Sequence, residues 1–318
     1  MDRQLLSIVV PAYNESAGIA DALRRLAGVA ASTGLSAEII VVDDGSRDDT
    51  FARAAAVADL PVATKVLGLS RNFGKEGALL AGLREASGAA VITIDADLQH
   101  PPELIPEMIA AWRAGACVVN GVKRSREPDS ILVALRARVV NAMLTRLGEI
   151  DLQRSSDFKL LDRQVVDVIV RQLPERNRLY RGLSGWVGFP QVAIEFDVAP
   201  RAAGVSGFSL RSLLGLTVTA VVSFTSLPLR IVSALGVLTL LLGLGIGGEA
   251  LWTWLHGRAA DGFTTVIITL LLVGSFIMIS LGVIGEYIAK IYEEIKQRPA
   301  FIVGRRQERS AAAHDQPA

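Results

Sequence analysis

Ala89–Glu103, AAVITIDADLQHPPE, decides how the rest of the chain reads. Ala89 to Ile94 carry no charge, as expected of a short strand covered on both faces. Asp95, Asp97 and Gln99 then place oxygen donors at alternate positions, so that they project one way from the strand end. Such a set can hold a hard cation that also grips a diphosphate. A bare D-x-D is common in surface loops; its place behind an apolar strand gives it weight. His100, before the proline pair, fits equally a contact to this site or an element of the turn.

Moving outward, strand-like and helix-like segments alternate over the first 125 residues. Strands are expected at Leu5–Val10, Ala37–Val42, Lys65–Leu69, Ala89–Ile94 and Ala116–Gly121. Helices are expected near Gly18–Ala31, Thr50–Ala58, Lys75–Ala86 and Pro102–Ala114. This alternation predicts an α/β layer around a mainly parallel sheet. In such sheets ligands bind beyond the carboxyl ends of the strands, where EIIVVDD and AAVITIDAD both end in carboxylates.

Two further clusters follow from that rule. PAYNE puts Pro11, Tyr13 and Glu15 after the first strand, and VVDDGSRDDT puts Asp43 and Asp44 after the second. Carboxylates beside a tight turn at Gly45 suit a ribose hydroxyl or base edge, so Asp43 and Asp44 are assigned to a nucleotide. Asp48 and Asp49 read instead as caps of the next helix. In SRNFGKEGAL, Arg71, Asn72 and Lys75 lie on a loop running into a helix, a natural anion contact. Ala96, between the two aspartates, belongs to the same nucleotide-facing set.

The 318 residues are 51% hydrophobic, with a mean hydropathy of +0.40. The apolar excess is concentrated: Ile231–Gly248 and Thr264–Ile284 are free of charge, each long enough to span a bilayer as a helix. Leu210–Phe224 sets Arg211, Ser212, Gly215, Thr219 and Ser223 on one narrow strip, which suits an amphipathic interface helix ending before Pro228. Cations cluster outside the two spans, at Arg211 and Arg230 before them and at Lys290, Lys296, Arg298, Arg305, Arg306 and Arg309 after them. By the positive-inside rule both chain ends are cytoplasmic. The opening run MDRQLLSIVVPAYNES, broken early by Pro11, is not expected to be a signal peptide. Cys117 stands alone in the chain, which excludes an internal disulfide, and reads as a buried strand thiol. A net charge of +1 gives no argument for nucleic acid.

In order and spacing, PAYNE, VVDDGSRDDT, SRNFGKEGAL and DADLQHPPE resemble the family-two glycosyltransferases of the GT-A fold. DFKLLDR (Asp157–Arg163), ERNRLYRGLSGWVGF (Glu175–Phe189), SLPLR (Ser226–Arg230) and GEYIAKIYEEIKQRP (Gly285–Pro299) extend the likeness to the dolichyl-phosphate mannose synthase and bactoprenol-phosphate glucosyltransferase branch. The resemblance implies a Rossmann-like α/β GT-A domain over residues 1–207, an amphipathic juxtamembrane helix at 208–228, two transmembrane helices within 229–288 and a cytoplasmic tail at 289–318. It implies transfer of one hexose from a UDP- or GDP-sugar to a polyprenyl phosphate, at the inner membrane, by a homo-oligomer that is a tetramer in similar enzymes.

The resemblance also distributes roles. Asp95 would sit by the nucleotide, Asp97 and Gln99 would bind Mg2+ or Mn2+, and Asp157 would lie near the acceptor. Arg124, Arg138 and Arg201 match positions facing the lipid phosphate or the donor diphosphate, as guanidinium forks can. Arg136, Arg138 and Arg146 fit equally the headgroup face of a basic amphipathic helix over Ile131–Leu147. Relatives commonly carry R-x-x-G-x-S-K-Y; here Gly207 and Phe208 replace the lysine and tyrosine, which removes one cation. Neither the Q-x-x-R-W motif nor the extra spans of processive polysaccharide synthases occur. A non-catalytic nucleotide-sugar-binding protein is opposed by the retained Asp95, Asp97, Gln99 and Asp157.

Overall fold

The computed structural model describes residues 5–124, 156–173, 175, 180–196, 227–257 and 263–311. Contacts divide the chain into two units, one of residues 1–207 with 299–318 and the other of residues 208–298. The first holds one eight-stranded sheet. Its strands are β1 (Leu5–Ala12), β2 (Ser36–Asp43), β3 (Ala63–Leu69), β4 (Ala90–Thr93), β5 (Val118–Lys123), β6 (Lys159–Asp162), β7 (Gln191–Phe196) and β8 (Val303–Arg309). The spatial order is β7-β5-β6-β4-β1-β2-β3-β8. β1, β2, β3 and β4 run parallel, β6 is antiparallel to both β4 and β5, and β8 is antiparallel to β3.

The helices are α1 (Ile19–Ser32), α2 (Thr50–Ala56), α3 (Lys75–Glu85), α4 (Ile105–Arg113), α5 (Arg163–Asp167) and α6 (Tyr180–Trp186). They cover both faces, and strand alternation sorts the core accordingly. On β1, Ile8 and Val10 face one hydrophobic cluster with Leu23 and Leu26 of α1 and Met108 of α4. Val9 faces the other, with Leu79 and Leu83 of α3 and Val165 of α5. The apolar strands foreseen in the sequence are therefore two-sided.

The helix expected from the sequence at Asp162–Gln172 and the strand expected at Gln191–Asp197 correspond to α5 and β7, whereas β6, α6 and β8 had no counterpart in the sequence reading. β6 and α6 come from the stretch after Asp157. β8 comes from the C-terminal residues taken as a tail: Thr64 through Leu69 of β3 pair with Arg309 back to Val303. Cys117 is half-buried just before β5, rather than buried within a strand, and its sulfur accepts the Gln164 amide at 3.0 Å.

The second unit contributes α7 (Leu227–Leu255) and α8 (Phe263–Ile295). Ile231–Leu255 and Ile268–Ile295 are long and apolar enough to cross a membrane, with mean hydropathies of 2.1 and 2.4 and none of either stretch buried. The expected helix at Ile131–Leu147 and the amphipathic helix at Leu210–Phe224 lie outside the described residues, as do Arg138, Arg201, Gly207 and Phe208.

Candidate active site

The carboxyl edge of the parallel strands opens into a cavity of about 290 Å³. Pro11, Ala12, Tyr13 and Glu15 line it from the end of β1, Asn72, Gly74 and Lys75 from the start of α3, and Asp95, Ala96 and Asp97 from the end of β4. The loops that frame it are locked by their own polar groups. Asp44 is buried and accepts the Phe73 and Gly74 amides at 2.7 and 2.9 Å, tying β2 to the start of α3. Gly45, at φ +65°, lies against the Arg71–Asn72 backbone, where a Cβ would stand 2.4 Å from the Arg71 carbonyl carbon. Only glycine satisfies both conditions. Asp48 accepts the Thr50 amide at 3.1 Å and the Ser16 amide at 3.2 Å, whereas Asp49 at the start of α2 makes no capping hydrogen bond. Of the two expected caps, Asp48 has a capping role and Asp49 does not.

After β4 the chain turns sharply. Leu98 takes φ +53°, a left-handed conformation unusual for a bulky side chain, and the Asp97 carboxylate accepts the Gln99 amide at 3.1 Å. Strain of this kind concentrates where function over-determines the backbone. The turn gathers Asp95, Asp97 and His100, whose potential ligand atoms lie within 4.8 Å of one another. His100 sits between the Phe158 and Phe196 rings, with Nδ1 4.0 Å from Asp95. Burial pushes its pKa down, against the opposing pull of Asp95 and Asp97. The sequence left His100 equally a contact to this site or an element of the turn; packed against the two rings, it lies inward beside Asp95.

Asp157, just before β6, is the hub of the charge network. It is buried, and Arg181 grips it in a fork, Nε to Oδ1 at 2.7 Å and Nη2 to Oδ2 at 2.8 Å. Lys75 Nζ contacts Asp157 Oδ2 at 2.7 Å and Asp95 Oδ1 at 2.6 Å, joining it to the cluster after β4. Burial alone would raise the Asp157 pKa, but the Arg181 fork and Lys75 outweigh it and hold the carboxyl well below the usual range. Lys75 is likewise opposed by burial and held protonated by Asp95 and Asp157. Glu15 goes the other way: burial raises its pKa, and Asp97, Asp48 and Asp95 raise it further. That repulsion marks a site rich in negative charge.

Behind Asp157 lies a buried polar layer that the sequence did not disclose. Lys159 is fully buried and donates to Ser184 Oγ, and its pKa is lowered to about 7, chiefly by burial. Tyr180 shares a 3.0 Å hydrogen bond with Thr93, whose hydroxyl donates to the Asp157 carbonyl at 2.6 Å. Glu76 accepts the Tyr180 amide at 2.9 Å.

Asp43, Arg71, Gln99, Arg124 and Asp157 were expected at the site but are not among the residues lining the cavity. Arg124, at the end of β5, has Nε 3.6 Å from Glu195 of β7. Asp43 is fully buried behind the loop it begins. Arg181, quoted within ERNRLYRGLSGWVGF but given no role there, makes the bidentate contact to Asp157.

The fold is that of a glycosyltransferase of GT-A architecture. Residues 7–171 match the family model described as Glycosyl transferase family 2, and the chain belongs to that family. Residues 227–291 match the model described as GtrB C-terminal hairpin. The chain is 40% identical over 300 residues to the uncharacterized glycosyltransferase sll0501 of Synechocystis, covering 94% of each. It is 35% identical to the SfII prophage-derived bactoprenol glucosyl transferase of Shigella flexneri, covering 94% of this chain and 97% of that one. Among solved structures it is similar to glucosyl-3-phosphoglycerate synthase from Mycobacterium tuberculosis, with 21% identity, coverage of 69% of this chain and 78% of that one, and a TM-score of 0.46.

Proposed function

We propose that this enzyme moves one hexose from a UDP- or GDP-sugar to the phosphate of a polyprenyl lipid, by a single displacement with inversion, at the cytoplasmic face of the cell membrane. One observation carries the reading: a cavity lined by Asp95 and Asp97 is joined through Lys75 to a clamped Asp157, in a chain that also bears two membrane-length apolar helices. The bactoprenol glucosyl transferases that align along nearly the whole chain support a polyprenyl acceptor.

Mg2+ or Mn2+ fits the cluster after β4. Its donors are two carboxylates and an imidazole within reach of one another, beside Glu15, whose pKa is raised chiefly by burial and further by Asp97, Asp48 and Asp95. Asp97 and the Gln99 side-chain oxygen, the pair expected from the sequence, would hold the ion together with Asp95 and His100. A divalent ion there supplies charge stabilisation for the departing nucleotide diphosphate.

The chain's own residues do the rest. Pro11, Tyr13, Glu15, Asp44, Asn72 and Ala96 form the nucleotide wall. The acceptor phosphate monoester, with a second pKa near 6 by analogy with protein phosphates, is mostly a dianion at neutral pH and needs little deprotonation. Asp157 accordingly acts as an orienting anion: its low pKa makes it a poor base, and the Arg181 fork fixes its direction. Lys75 and Arg124, with Arg138 and Arg201, offset the repulsion between the two anionic reactants.

The test is transfer of label from a panel of UDP- and GDP-sugars to short-chain polyprenyl phosphate by the purified full chain, with Mg2+ or Mn2+ present. Label appearing in the extractable lipid is the expected result. Label in a long polymer, or release of free sugar alone, would overturn the reading, and an α-linked product from an α-configured donor would overturn the single displacement.

A further inference from the structure

We propose that Arg305, on the strand that returns after the second apolar helix, is a positioning residue for the nucleotide loop after β2 and acts through Asp43. The inference rests on the reading that the loops after β1, β2 and β3 take the donor nucleotide. Neither matching family model reaches this strand, since they end at residues 171 and 291.

The geometry is a line of contacts across three strands. Arg305 of β8 pairs with Gly68 of β3, and Gly68 pairs with Asp43 of β2. Side chains on a strand alternate between faces. Arg305 and Gln307 accordingly point to α2, where Arg305 stacks 4.2 Å from the Phe51 ring centre and Gln307 lies 3.5 Å from the Ala55 carbonyl. Arg306 points to the opposite face and pairs with Glu85 of α3 at 2.9 Å. The missing side chain at Gly68 makes room: a Cβ there would stand 3.0 Å from Phe51 Cδ2 and 3.2 Å from Arg305 Nε. Arg305 thereby reaches across β3, and its Nη2 comes to 3.5 Å from Asp43 Oδ2.

Asp43 is the residue in need of that charge. It is fully buried, its Oδ1 accepts the Ser46 amide at 3.1 Å, and its Oδ2 is buried with no hydrogen bond among the described residues. A buried carboxylate deprived of its counter-charge strains whatever it supports. What Asp43 supports is the turn to Ser46. Ser46 Oγ accepts the Asn14 amide at 2.9 Å, and Asn14 Oδ1 accepts the Arg47 amide at 3.0 Å. Asn14 lies between Tyr13 and Glu15, which line the cavity. A cation supplied from beyond the apolar helices thus braces the wall of the donor pocket.

The experiment compares the full chain in detergent with its Arg305→Met, Arg305→Lys, Gly68→Ala and Asp43→Asn/Arg305→Met variants. Two readouts are taken: ligand-free amide hydrogen exchange, and titration with UDP or GDP in the presence of Mn2+. For Arg305→Met, exchange at residues 12–16 and 43–50 should rise about tenfold while β1 residues 6–10 stay protected. The nucleotide Kd should rise roughly three- to tenfold, a modest change because Arg305 is half exposed. Gly68→Ala should reproduce both effects, Arg305→Lys should recover most of the loss, and the double variant should exchange less than Arg305→Met because no buried charge remains. Exchange that rises only in β3 and β8, or a double variant that exchanges as much as or more than Arg305→Met, would overturn the proposal. Should the unmodified chain bind neither nucleotide, the functional reading fails, while the exchange pattern still decides the role of Arg305.

Discussion

Both edges of the central sheet are crowded with charge, and they handle it in opposite ways. At the amino edge, Glu38 is buried and spends its oxygens on Ser7 at 2.6 Å, Ser87 at 2.6 Å and Lys65 at 3.0 Å. Burial raises its pKa, but those hydrogen bonds outweigh it and leave the carboxyl below its ordinary value. Arg163 beside it donates to the Gly88 and Ala86 carbonyls. At the carboxyl edge, Asp97 is exposed, Glu15 is repelled by its neighbours, and Lys75 bridges two carboxylates from different strands across an open cavity. A closed network stabilises the fold; an unbalanced one awaits a ligand.

If that contrast is right, substitutions at the two edges separate function from stability. The largest effect belongs to Asp97→Ala, expected to lower kcat by about a thousandfold or more with the unfolding midpoint unchanged, because a charge-stabilising group of the transition state is lost. Near-normal turnover would remove Asp97 from the site. Arg181→Ala follows, with kcat lower by about a hundredfold, since Asp157 would lose the fork that directs it. A change confined to the donor KM would reassign Arg181 to binding. At the other edge, Glu38→Ala should cost about 3 kcal/mol of stability by orphaning Ser7, Ser87 and Lys65, with kcat of the folded fraction intact. Chemical unfolding in parallel with the transfer assay checks the pair, and a kcat loss at Glu38 would erase the distinction.

The same contrast explains what the sequence disclosed. Apolar strands punctuated by carboxylates exposed β1 to β5 and the cluster at Asp95 and Asp97, because hydrophobic period and strand-end chemistry are local signals. β6 comprises the four residues Lys159–Asp162 and buries a lysine, and β8 reads VGRRQER, so both resemble polar loop until their partners are known. Arg181 sat in a quoted motif without an assigned role, since its meaning depends on Asp157, 24 residues away. Lys75 was legible as an anion contact, but its observed anions are the protein's own carboxylates. Tertiary pairing, absent from any local pattern, supplied the remainder.

The smallest effect tests the boundary between the two regimes. Glu76, in the first turn of α3 beside Lys75, is half-buried, and its pKa is raised to about 7 from an ordinary 4.5. Burial is the main cause; Asp157 adds to it, while the Tyr180 amide, Lys75 and Arg181 oppose it. A carboxyl whose folded pKa exceeds its unfolded value favours folding while protonated. Its contribution is fully present below about pH 4.5 and is lost as pH rises through about 7. Glu76→Gln keeps an acceptor for the Tyr180 amide and removes the titration. The variant should therefore lose the fall in unfolding midpoint across that window and stand about 1 kcal/mol above the unmodified chain at pH about 8. Melting curves that run parallel for the two proteins from acid to neutral pH would place Glu76 with the fully balanced charges of the amino edge.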